Sequence, residues 1–123
     1  MALIHAYQRR GLTEDIQVLD VDGAVITPGE NDKVRAIIGR VGQLGSDLSG
    51  AKLVLTSGEA PTAAGSSFTK NSPSDGYHRL RLDATDLAAI APGVWTLFID
   101  YFDNADAQEW KNVSRQVFVL EGT

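Results

Sequence analysis

Polar and apolar residues alternate with a period of two along most of this chain. In "KVRAIIGR" (Lys33–Arg40), Val34, Ala36 and Ile38 fall on one face. In "YHRLRL" (Tyr77–Leu82), His78, Leu80 and Leu82 share a face, while Arg79 and Arg81 take the other. Successive side chains of a strand point to opposite sides, so alternation predicts strands with one covered face. Leu3–Gln8 alternates more weakly, with Leu3, His5 and Tyr7 opposed to Ile4 and Ala6. "DIQVLDVDG" sets Ile16, Val18 and Asp20 against Gln17, Leu19 and Val21. Lys52–Ser57 is a short apolar, β-branched run, and Asn112–Gly122 alternates again. "VWTLFIDYF" (Val94–Phe102) is largely apolar on both faces, which predicts a central strand covered on both sides.

Turn chemistry separates these runs. Asp22-Gly23 and Pro28-Gly29 mark two turns, and "VGQLGSDLSGAK" reads as a connection. From Gly58 to Asp75 the chain is polar and rich in small residues, with Phe68 its one large apolar anchor. That stretch reads as a functional or mobile loop, with room for a short strand near Ser67–Lys70. Asp83 is placed to cap a helical turn, Asp86 occupies the capping-box position, and Pro92-Gly93 ends the segment. The expectation is an all-β chain: an antiparallel sandwich of about seven strands, with one short helical turn near residues 83–91. A single domain spans residues 12–123, preceded by an N-terminal arm or edge strand over 1–11.

Composition narrows the functional classes. The 123 residues suit one domain with one core. The absence of cysteine excludes disulfides, thiolate metal sites and cysteine nucleophiles. The net charge is −5, and only Arg9 and Arg10 are adjacent among the eleven basic residues, which argues against nucleic acid as a partner. In "MALIHAYQRRG" the arginines follow the apolar run, the reverse of an export signal. The longest apolar stretch, Leu87–Phe102, is broken by Pro92-Gly93 and Asp100 and falls short of a bilayer span. A soluble protein with no membrane partner is expected.

Candidate chemistry is sparse. The two histidines are His5 and His78, no nucleophile elbow surrounds a serine, and no phosphate loop is present. Glu59 and Glu109 lie in loops with nothing to pair them as glycosidase acids. The chain therefore reads as a non-enzyme with no cofactor. Asp100, Asp103, Asn104 and Asp106 crowd a short segment and are candidate cation ligands. Their spacing lacks the glycine and the alternate-residue pattern of calcium loops, so a solvated hairpin tip is the first reading. Asp20 and Asp22 read as a hairpin turn in the same way. Trp95 belongs in the core, while Trp110, at a loop–strand junction, is a candidate contact residue. The other candidate contacts are Leu3, Ile4, Tyr7, Arg9 and Arg10 of the N-terminal arm, Phe68 and Lys70 of the central loop, and Tyr77.

The order of the pieces carries a resemblance. "DVDGAVI", "DKVRAIIGR", "DLSGAKLVL", "YHRLRLDATDLAAIAPGVWTLFIDYFD" and "VSRQVFVLEGT" follow one another. This resembles the immunoglobulin-like domains of tailed-phage virion proteins. The matching positions are Asp20, Asp22, Gly23, Asp47, Leu48, Gly50, Ala51, Asp86, Leu87, Ile90, Gly93 and Trp95, which stands where tyrosine is more usual. The resemblance covers most of residues 12–123, through motifs that many sandwiches share. It implies an immunoglobulin-like sandwich and a non-enzymatic structural protein of the virion, assembled in the host cytoplasm. Because the module is nearly the whole chain, a capsid decoration (cement) protein is the leading expectation. It would bind the major capsid protein or other virion proteins, as a homo-oligomer or as many copies on a symmetric lattice. A small tail or baseplate adaptor is the alternative, and a carbohydrate-binding sandwich module is a third reading.

Overall fold

The computed structural model describes residues 3–29, 31–45, 47–72, 75–104 and 109–122. The chain is mostly strand, arranged in two sheets. The strands are β1 (Leu3–Tyr7), β2 (Leu12–Gln17), β3 (Lys33–Gly39), β4 (Leu53–Thr56), β5 (Ser67–Ser72), β6 (Tyr77–Leu82), β7 (Gly93–Phe102) and β8 (Trp110–Glu121). One short helix, α1 (Ala84–Ala88), precedes β7. Five strands form a curled sheet in the order β1-β8-β7-β3-β4, and three form the second in the order β2-β6-β5. Pairing is antiparallel except between β1 and β8, which run parallel with Leu3 opposite Val117 and Tyr7 opposite Glu121.

Both sheets face one core. Val34, Ala36 and Ile38 of β3 point inward beside Leu97 and Ile99 of β7, as their alternation requires. The second sheet contributes Ile16, Phe68, Leu80 and Leu82. His78 follows its alternation inward and is fully buried. Trp95 fills the core and donates its indole N–H to the Ala91 carbonyl at 2.9 Å, while the Arg40 guanidinium lies over its ring.

Three local differences from the sequence expectation have physical causes. Among the described residues the strand count is eight, because the short strand allowed for near Ser67–Lys70 is present and joins the second sheet. It is β5, and Phe68 pins that strand opposite Leu80. The second strand starts at Leu12, and the hairpin after it is held by one side chain: the Asp20 Oδ1 accepts the amides of Asp22 and Ala24. The segment "DLSGA" is a tight turn in which Asp47 accepts the Ser49 amide and Leu48 adopts a positive φ of 65°. Gly50 is required there, since its φ is 88° and a Cβ would collide with the Gln43 carbonyl oxygen.

The helical turn is capped through an intermediary. Asp83 accepts the Thr85 amide, as expected of an N-cap. In a direct capping box Asp86 would take the Asp83 amide. Here the Asp83 amide donates to the Ser66 hydroxyl oxygen at 2.8 Å, and that hydroxyl donates onward to Asp86. Thr62 also donates to Asp86 and accepts the Ser66 amide. Ser66 is fully buried, so this relay ties the loop before β5 to the turn before β7. Replacing Ser66 by alanine strands a buried amide and removes a donor from Asp86. The expected loss is about 2 kcal/mol in denaturant unfolding, whereas Ser67→Ala, next along the chain, changes stability by less than about 0.5 kcal/mol.

Candidate interaction surface

The outer face of the five-stranded sheet is built from the residues that alternation turns away from the core. On β7 these are Val94, Thr96, Phe98, Asp100 and Phe102; on β3 they include Arg35 and Ile37. Asp100 is 7 % exposed and sits directly opposite Arg35. Arg35 binds one Asp100 oxygen through both Nε and Nη2, each at 3.0 Å. The other oxygen accepts from the Asn112 amide side chain at 3.0 Å. Arg35 also lies over Trp110, 4.1 Å from the ring centre, and Phe102 packs beside that ring at 5.5 Å.

Asp100 is committed to Arg35 and Asn112. Asp103 and Asn104 follow β7, and the Asn104 amide donates to Asp32 at 2.9 Å. Asp32 gathers the loop: it also accepts the Gly29 amide and the Tyr101 hydroxyl, both at 2.8 Å. Partial burial would raise the Asp32 pKa, but the hydrogen bonds from Gly29, Asn104 and Tyr101 outweigh it and hold the carboxyl below its ordinary value. The Tyr101 hydroxyl is pushed up, first by burial and then by its bond to that carboxylate. Asp106 lies outside the described residues. Among the described residues, no group of three potential metal ligands comes together. No described helix is long and apolar enough to cross a membrane.

The candidate contact residues divide in two. Leu3 is on the outer face and exposed, as are Arg9 and Arg10 at the end of the first strand. Tyr7 is half-buried, stacked on His5 at 5.1 Å. Trp110 is half-buried beneath Arg35. Lys70 is half-buried and donates to the Gly29 carbonyl, and Tyr77 is exposed on the second sheet. Ile4 and Phe68 are corrections: both are core residues, 4 % and 1 % exposed, and not surface anchors. Each is an apolar residue whose strand register points it inward.

Reading the chain alone missed the apolar stripe that crosses this face. Val94 is 65 % exposed, Leu3 61 % and Val117 38 %. Leu3 pairs with Val117, and Val94 with Val119, so the four lie on adjacent rungs of β1, β8 and β7. The signal was present in "GVW" and "RQVFVLE", where valines occupy the polar half of the alternation. Arg35 was missed for a different reason: its partner is far along the chain. Compared with known proteins, the chain matches no family model and no curated protein.

Two measurements check the electrostatics described above. Removing Arg35 leaves a buried carboxylate without its charge partner, so Arg35→Leu should cost about 3 kcal/mol, and the double variant Arg35→Leu, Asp100→Leu should recover most of it. His78 is fully buried, stacked on Phe68 at 5.2 Å, and its ring nitrogens have no hydrogen bond among the described residues. Burial holds its pKa below the ordinary 6.5. The unfolded chain therefore binds a proton that the folded chain refuses. Stability is complete above 6.5 and falls as pH drops through it. Unfolding midpoints from roughly pH 7.5 down to 5 should fall in the native chain and flatten in His78→Leu.

Proposed function

We propose that this chain is an immunoglobulin-like β-sandwich and a non-enzymatic phage virion protein, a capsid decoration protein that docks many copies on a capsid lattice. The strand order β1-β8-β7-β3-β4 over β2-β6-β5 supports the sandwich reading, because it places the first and last strands side by side at one edge. The single observation that carries the docking role is the stripe of Leu3, Val117, Val119 and Val94. It is a contiguous apolar surface that folding leaves uncovered, and such surfaces mark contact sites. His5 and Glu121, 3.3 Å apart, border it with exposed charge, and Arg115 lies over Phe98 on the same face. A shallow apolar stripe with a polar rim suits weak contacts repeated over many copies.

The sugar-binding reading needs exposed aromatics that converge. Tyr7 and Trp110 lie at opposite ends of β8, roughly 35 Å apart at the rise of a strand, and Tyr77 is on the other sheet. A tail or baseplate adaptor would use the same stripe with fewer copies. Copy number separates the two. Quantitative mass spectrometry of purified virions should find this chain at a stoichiometry comparable to the major capsid protein. A handful of copies per particle would assign it to the tail, and its absence from virions would end the reading. Val94→Asp should lower incorporation at least about tenfold while leaving the folded yield intact.

A further inference from the structure

β1 is shorter than the strand it pairs with. It covers β8 only from Val117 to Glu121, so among the described residues Trp110–Gln116 has β7 on one side and no strand on the other. β2 likewise pairs only with β6. These two open edges face each other across a cleft of about 420 Å³. Leu3, Ile4, Ile16 and Leu19 give it apolar walls.

Three of the polar side chains that line it occupy strand positions on the core-facing side. Glu14 is opposite Leu80, Ser114 opposite Ile99, and Gln116 opposite Leu97, and those three partners are fully buried. Directly opposed residues share a face, so the polar three are directed between the sheets. The Ser114 hydroxyl is shut off from solvent and makes no hydrogen bond among the described residues. Glu14 is the cleft's uncommitted charge, since Asp15 is held by Arg79 at 3.0 Å and Arg115 donates to Asn112 on the outer face. Glu14 is an exposed carboxylate at the mouth of the cleft, while the buried Ser114 hydroxyl is the group whose lost hydrogen bond is costly.

We propose that this cleft is a strand-docking site for an extended segment of a partner protein that carries a lysine or arginine. The segment adds to the free edge of β8 beside Lys111–Gln116, in line with β1, through main-chain hydrogen bonds. Its residue opposite Ser114 or Gln116 points into the cleft and places its cation against Glu14. A second copy of β8 on the same edge is disfavoured: antiparallel pairing about Val113 would set Lys111 against Arg115. The site rests on the cleft alone and holds whatever particle or assembly the chain belongs to.

The test uses the whole chain and two labelled peptides, Thr-Val-Thr-Lys-Thr-Val-Thr and its twin with glutamate at the centre. In fluorescence polarisation, the lysine peptide should bind roughly tenfold or more tightly than its twin. Glu14→Lys, a change at an exposed position, should reverse the preference. Hydrogen exchange with the lysine peptide bound should slow at Lys111–Gln116 and stay unchanged at Leu53–Thr56, the opposite edge of the sheet. No binding at millimolar peptide, equal binding of the twins, a preference that survives Glu14→Lys, or protection at β4 instead would each overturn the proposal.

Discussion

A carboxylate taken out of water in the middle of a sheet must be answered in place, and Asp100 sets that constraint here. Its neighbours on β7 are apolar on both faces, so the strand has no other charged group to spend. Arg35 meets it from the adjacent strand, directly across the ladder. The pair therefore does for the outer face what Val34, Ala36 and Ile38 do for the inner one. A one-residue slip of β3 would expose the apolar set and separate the charges at once. The bulge between Ile99 and Asp100 then shifts β8 so that Asn112 reaches the same carboxylate. Trp110, the residue whose exposure the sequence left open, ends as a shelf beneath the guanidinium.

The same logic governs the acidic segment that follows. Acidic residues at a hairpin end invite a cation reading, yet Asp100 is spent on Arg35 and Asn112, and the nearby Asp32 on amides and a tyrosine hydroxyl. Asp32, which drew no notice in the sequence, is the hub of that corner. The chemistry of the two aspartates differs in kind. Asp100 is paired by charge inside the sheet, while Asp32 is a turn-former whose bonds come mostly from backbone amides.

Period-two alternation made most of the fold legible. Val34, Ala36 and Ile38, then His78, Leu80 and Leu82, and the two-faced β7 all follow from local pattern, because one covered face leaves a local trace. Asp83 as a cap was legible for the same reason. What escaped depends on partners distant in the chain. β5, allowed for only as a short strand near Ser67–Lys70, is Ser, Thr, Lys and Asn around one phenylalanine, and its extent and pairing are set by β6 and the core that accept Phe68. Phe68 looked like a free anchor in polar surroundings, but a lone apolar residue in a strand is more often the one that holds it down. The parallel pairing of β1 with β8 has no local signature at all, and the stripe and the cleft both follow from it.

That parallel pairing also has a mechanical consequence. Leu3 enters β1 at the end where Val117 lies, and Glu121 leaves β8 at the end where Tyr7 lies. Tension drawn through Leu3 and Glu121 pulls the two strands lengthwise past each other. Every rung between them is loaded together, where a hairpin pulled from its open end would part rung by rung. That edge is thus oriented to resist shear.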